Sequence, residues 1–148
     1  MSKRTKVLES ADLTKDNCII YVDNTAKALL LLAKYYRSLF DIPFIAVTGS
    51  VGRTTTKNFI AEVLSAKFNV LKTEGNLNNE IGLPLTIFRL EPEHEIGVVE
   101  LGMSGFGEIS RMADVVKPHI GVITNIGMSH IEKLGSVENI AKAKMEIL

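Results

Sequence analysis

The chain has 148 residues and a mass of 16.3 kDa, the size of one ordinary domain. Hydrophobic residues make up 46% and charged residues 23%, which excludes a disordered chain. Lys+Arg and Asp+Glu both number 17, which argues against a nucleic-acid binder; the single Cys18 excludes an internal disulfide framework and fits a reducing compartment.

Residues 1–17 are polar and aperiodic, basic at the start but without the apolar core of a signal peptide. Residues 18–22 (CIIYV) read as a short strand. Asp23 or Asn24 then caps an amphipathic helix that carries Ala26, Leu29, Leu30, Ala33 and Tyr36 or Arg37, and ends near Phe40. Its most apolar run, residues 28–33, is closed by Lys34 and falls far short of the roughly 18 residues of a membrane span. A cytoplasmic, membrane-free protein is therefore expected.

After Pro43 the pattern changes to alternating strands and helices. Residues 44–47 (FIAV) form an apolar run suited to a strand covered on both faces. A glycine turn leads into a helix from about Arg53, with Phe59, Ile60, Val63 and Leu64 on one face. A short strand at 69–71, an Asn- and Gly-rich loop at 74–82 and a short helix at 83–90 follow. Next come a strand at 95–101, a glycine loop, a helix at 108–116 ended by Pro118, and a strand at 120–124. A loop at 125–135 precedes a last helix capped by Ser136. This alternation predicts an α/β fold, a mostly parallel sheet flanked by helices, with ligands bound at the carboxyl ends of the strands.

The segment Thr48-Gly49-Ser50-Val51-Gly52-Arg53-Thr54-Thr55-Thr56 lies between a strand and a helix, the setting of a phosphate-binding loop. Its glycines let successive N–H groups converge on one anion, and the following helix adds its positive end. Thr54 stands where a hydroxyl reaches Mg²⁺ beside the phosphates. Against the general pattern GxxxxGK[ST], Val47 replaces the first glycine and Arg53 the lysine. The plainer alternative is a strand-to-helix turn capped by threonines.

Four runs occur in order: TGSVGRTTTK, TEGNLNNEIGLPLTIFRL, VVELGMSGFGEI and ITNIGMSHIEKLGSVENIAKAKMEIL. Together they resemble the ATP-binding central domain of the Mur ligases, with a P-loop-type sheet. The GNLNNEIG loop and ELGMSGFGEI segment point to the branch that joins D-Ala-D-Ala to UDP-MurNAc-tripeptide through an acyl phosphate. The resemblance implies that residues 42–148 are the N-terminal portion of that domain, and residues 1–41 the tail of a preceding domain and a linker. It implies ATP and Mg²⁺ as cofactors. Residues Gly49, Ser50, Val51, Gly52, Arg53, Thr54, Thr55 and Asn79 would then line the nucleotide, and Arg53, His130 and Lys144 would serve catalysis. Thr54, Glu100, His130 and Lys144 would hold metal, the lysine as a carbamate.

By position alone, Glu100 is either a metal ligand or an exposed acid at a strand end. His130 alone reads as structural, like His119, while His94 reads as solvated. Helical spacing turns Lys144 inward, with Ile140 and Ile147, and Lys142 outward between Glu138 and Glu146. Asn76, Asn78 and Asn79 suit tight turns, and the resemblance sets them near the γ-phosphate; Asn125 is similarly placed. Met103, Ser104 and Gly105 shape the loop after Glu100. Ser110, Arg111 and Asp114 read as a solvated helix face. Full-length family members also have a UDP-sugar domain and a C-terminal domain, so this chain alone is expected to lack ligation activity. The alternative is a nucleotide-binding or inert fragment. An unpaired sheet edge would favour self-association.

Overall fold

The computed structural model describes residues 20–148. Helix α1 (Thr25–Ser38) starts where the Asn24 side chain accepts a 2.9 Å hydrogen bond from the Lys27 amide. The predicted strand at 18–22 begins outside the described residues, and residues 20–22 are not in a strand. Arg37 donates to the carbonyls of Val116, Phe40 and Ile42, with its guanidinium 4.2 Å from the Phe44 ring centroid. That ties α1 to the segments flanking the sheet.

Four parallel strands follow: β1 (Phe44–Thr48), β2 (Val70–Lys72), β3 (Ile96–Glu100) and β4 (Ile120–Ile123), in the order β2-β3-β1-β4. Val47 pairs with Glu100, and Thr48 with Ile123. Because all four run one way, the loops that follow them leave from one edge of the sheet. The helices between them are α2 (Arg53–Ser65), α3 (Gly82–Ile87) and α4 (Glu108–Val116). The fold ends with α5 (Ile131–Leu134) and α6 (Val137–Met145).

Side chains alternate across β1, so Phe44 and Ala46 face one way and Val47 the other. Phe44 and Ala46 join Leu71, Val99, Leu101, Ile109, Met112 and Ile140 in one apolar core with α1, α3, α4 and α6. Helix α2 packs on the sheet against β1, β2 and β3. No described helix is long and apolar enough to cross a membrane.

Three readings of the sequence are corrected. Helix α2 buries Lys57 and Ala61, with Ile60 and Leu64 half-buried, while Phe59 and Val63 are 68% and 73% exposed. Polar anchors fix this rotation, since Thr54 and Lys57 both hold the sheet side. Residues 131–134 of the predicted loop form α5, bounded by left-handed His130 and Gly135. The group Ser110, Arg111 and Asp114 is an exposed helix face, as read, and its polar groups are paired there: Arg111 with Glu80, Asp114 with Lys34 at 2.6 Å, and the Ser110 amide with Glu146. Glu146 therefore turns away from Lys142 and takes the Gly107 amide at 2.9 Å, capping α4.

Candidate active site

The loop between β1 and α2 wraps the carboxyl end of the sheet. Gly49 has φ +149, and a side chain there would run into the Thr124 hydroxyl, so only glycine lets the loop lie this close to the segment after β4. Gly52, left-handed at φ 78, then opens α2. The loop is bonded to residues 124–129. Asn125 Oδ1 accepts from the amides of Ser50 and Val51, at 3.1 and 3.0 Å. The Thr124 hydroxyl donates to the Val51 carbonyl at 2.6 Å, and the Ser129 hydroxyl to that of Ser50 at 3.3 Å. Two loop amides thus already converge on one oxygen, the arrangement that a phosphate oxygen requires.

Glu100 ends β3 and is 1% exposed, which removes the reading of a solvated acid. Its Oε2 accepts from the Thr54 hydroxyl at 2.8 Å, and its Oε1 from the Asn78 amide at 2.8 Å. Arg53 Nε lies 3.6 Å from the same Oε1. The Glu100 amide donates to Thr73 Oγ1 at 3.0 Å. A buried carboxylate beside a hydroxyl is an oxygen donor set of the kind a hard divalent cation takes, so Glu100 and Thr54 fit Mg²⁺.

Lys57 was not singled out from the sequence, although it stands three residues after Thr54 on the same helix face. It is 2% exposed and donates to the Thr73 carbonyl at 2.6 Å. Burial pushes its ammonium pKa down, and the Glu100 charge pulls it back up. Thr48 opens the loop segment without an assigned role; its hydroxyl is buried with no hydrogen-bond partner among the described residues.

Lys144 is 1% exposed and Lys142 is exposed, as the helical spacing predicts. Burial first, and the Arg53 charge second, lower the Lys144 pKa to about 8. No hydrogen bond or ion pair engages its ammonium among the described residues. Arg53 is thus the residue that links α2, the Glu100 carboxylate and the Lys144 region. Asn79 caps the start of α3, its Oδ1 accepting from the Ile81 and Gly82 amides at 3.1 and 2.8 Å. Thr55 is exposed. His130 is exposed, at φ 66, and its side chain makes no capping bond at α5. Among the described residues, no three of His, Cys, Asp and Glu gather as a metal cluster. His119 Nδ1 accepts from the Phe44 amide at 3.2 Å, and His94 Nδ1 from the Glu91 amide at 3.0 Å, both holding local backbone.

Residues 47–148 match the Mur ligase middle domain. The chain is 52% identical over 127 residues to the UDP-N-acetylmuramoyl-tripeptide–D-alanyl-D-alanine ligase of Synechocystis sp., covering 86% of this chain and 28% of that protein. The crystal structure of MurF from Acinetobacter baumannii superposes with a TM-score of 0.85 at 39% identity, over 91% of this chain and 30% of that one. MurF from Thermotoga maritima in complex with ADP gives a TM-score of 0.83 at 36% identity, over 93% of this chain and 32% of that one. The chain therefore spans under a third of the length of these relatives. With the strand, glycine loop, helix and buried Glu100 in place, the chain belongs to the Mur ligase family and is similar to its MurF members.

Proposed function

We propose that this chain forms the phosphate and metal half-site of a MurF-type ligase. In the intact cytoplasmic enzyme, ATP activates the terminal carboxylate of UDP-MurNAc-tripeptide as an acyl phosphate. The amine of D-Ala-D-Ala attacks that carbonyl carbon, and phosphate leaves. Residues 42–148 are the N-terminal portion of the ATP-binding domain, and residues 1–41 the tail and linker before it. The observation that carries this reading is the buried Glu100 carboxylate on the Thr54 hydroxyl at 2.8 Å, one residue into the helix after the glycine loop.

The amides of residues Gly49 to Thr55 serve the phosphates, with Asn79 in the loop beside them. Glu100 and Thr54 hold Mg²⁺, which offsets phosphate charge when bound. His130 is assigned to the metal cluster on its motif. The buried Lys144, with its lowered pKa, supports carbamate formation: the free amine adds to the carbon of CO₂ and an N–H proton leaves to solvent. Mass spectrometry of the native chain is expected to show the carbamate adduct, and its absence removes that role.

The test of the whole reading is calorimetric titration with ADP and Mg²⁺ on this chain and on Arg53→Lys. Binding by either is expected; no binding by both overturns the half-site. One observation favours a nucleotide-binding chain without ligation: Arg53 is paired with Glu100 rather than free for a phosphate. The exposed edge strand β4, with Ile120 54% exposed, supports self-association. Light scattering should show association that falls in Ile120→Lys; a monodisperse monomer at high concentration would count against it.

A further inference from the structure

Arg53 is where this chain departs from the lysine of the general phosphate-loop pattern. A lysine there is a compact charge on a flexible stem, free to turn to a phosphate, whereas arginine presents a rigid planar fork. The Arg53 Nε is 3.6 Å from Glu100 Oε1, and its side chain is 24% exposed. Its Nη1 lies over Gly102, 3.1 Å from where a side chain at that position would begin. Lys144 also feels its charge. The guanidinium thus acts on both Glu100 on β3 and Lys144 on α6, two of the groups proposed to hold metal.

Charge balance gives this placement its meaning. A carboxylate at 1% exposure needs a counter-cation. The other cation nearby, Lys57, is engaged by the Thr73 carbonyl and forms no ion pair with Glu100. Thr54 and Asn78 supply neutral donors only. Arg53 is therefore the cation in ion-pair contact with Glu100, while the Lys57 charge acts on that carboxylate without such a contact. A divalent ion approaching Oε1 would meet a full positive charge already on that oxygen, and like charges at such range repel strongly in a partly buried site.

We propose that Arg53 is the resident counter-cation of Glu100, standing in place of a divalent metal, so that metal binding in this chain requires the guanidinium to be displaced. The proposal rests on the reading of Glu100 and Thr54 as a metal-binding pair. It makes residue 53 the determinant of metal affinity, in addition to any role on phosphate.

The test uses Mn²⁺ alone, titrated into the isotopically labelled chain, with paramagnetic broadening of the Thr54, Glu100 and Leu101 amides as readout. Wild type, Arg53→Lys and Arg53→Gln are compared. Broadening is expected at about tenfold lower Mn²⁺ in Arg53→Lys than in wild type, and lower again in Arg53→Gln, a tenfold step corresponding to about 1.4 kcal/mol. Glu100→Gln should abolish it. The amide spectra report folding directly, and if Arg53→Gln is unfolded the lysine variant decides. Equal thresholds in wild type and Arg53→Lys overturn the proposal. So does an absence of broadening in every variant, since Arg53 would then guard no cation site. The nucleotide half-site is judged separately, by ADP titration, so the two failures are distinguishable.

Discussion

On one face of the sheet, Phe44, Ala46, Val99 and Leu101 meet α1, α3, α4 and α6 in a continuous apolar core. On the other, α2 brings Thr54 and Lys57 against the carboxyl ends of β2 and β3, beside only a few apolar residues such as Val47, Val98 and Ala61. The first face is stabilised by apolar area, which is indifferent to direction. The second is held by directed bonds to the buried polar groups Glu100 and Lys57, where a lost partner leaves the survivor unsatisfied. Stability and chemistry are thus separated across one four-stranded sheet.

The largest effect is expected on the apolar face. Ile109→Ala should cost about 3 kcal/mol of stability by urea denaturation while leaving the ADP affinity of the folded fraction unchanged. If ADP affinity falls with stability, the two faces are coupled and the separation fails. On the polar face, Glu100→Gln should cost less, about 2 kcal/mol, because its amide nitrogen sets a donor against Arg53 and Asn78. It should also remove the Mg²⁺ dependence of ADP binding, which titration with and without the metal would read.

Lys144, kept as the free amine in CO₂-free buffer, sharpens the comparison through pH. Its folded pKa, about 8, lies below the ordinary lysine value of 10.5, so the unfolded chain binds more protons between those values. Stability should therefore rise as pH climbs through that window, and the burden on the folded state is full below it. Lys144→Met should be more stable at neutral pH and should lose that rise; an unchanged slope would mean that the ammonium is not desolvated. The smallest effect is expected at Thr48, whose buried hydroxyl has no partner. Thr48→Val should shift stability by no more than about 1 kcal/mol, toward neutral or stabilising. A larger loss in thermal melts would show that the hydroxyl has a partner, such as a buried water.

Much of the site was legible because it is local. The spacing from Gly49 to Thr54 sits within one turn between a strand and a helix, and Glu100 ends its own strand. Lys144 was separable from Lys142 because helical spacing fixes their relative angle. Helix α2 was misread for a matching reason: Phe59 and Val63 make an apolar stripe, but two polar contacts outweigh it. Thr54 reaches Glu100 across 46 residues of chain, and Lys57 reaches Thr73 across 16. Glu146 was misread similarly, since its partner amides lie 36 and 39 residues away.

The order of strands, glycine loops and helices follows from the sequence by itself, because apolar period and turn chemistry act over a few residues. The same holds for the phosphate-loop motif and its unusual Arg53. The tertiary structure alone decides that Glu100 is buried and that Asn125 spans two loop amides. It alone decides that Arg53 lies on Glu100 rather than free in its own loop. These depend on which groups separate strands bring within bonding distance, and on how little water remains between them. A residue's own neighbours in sequence determine neither.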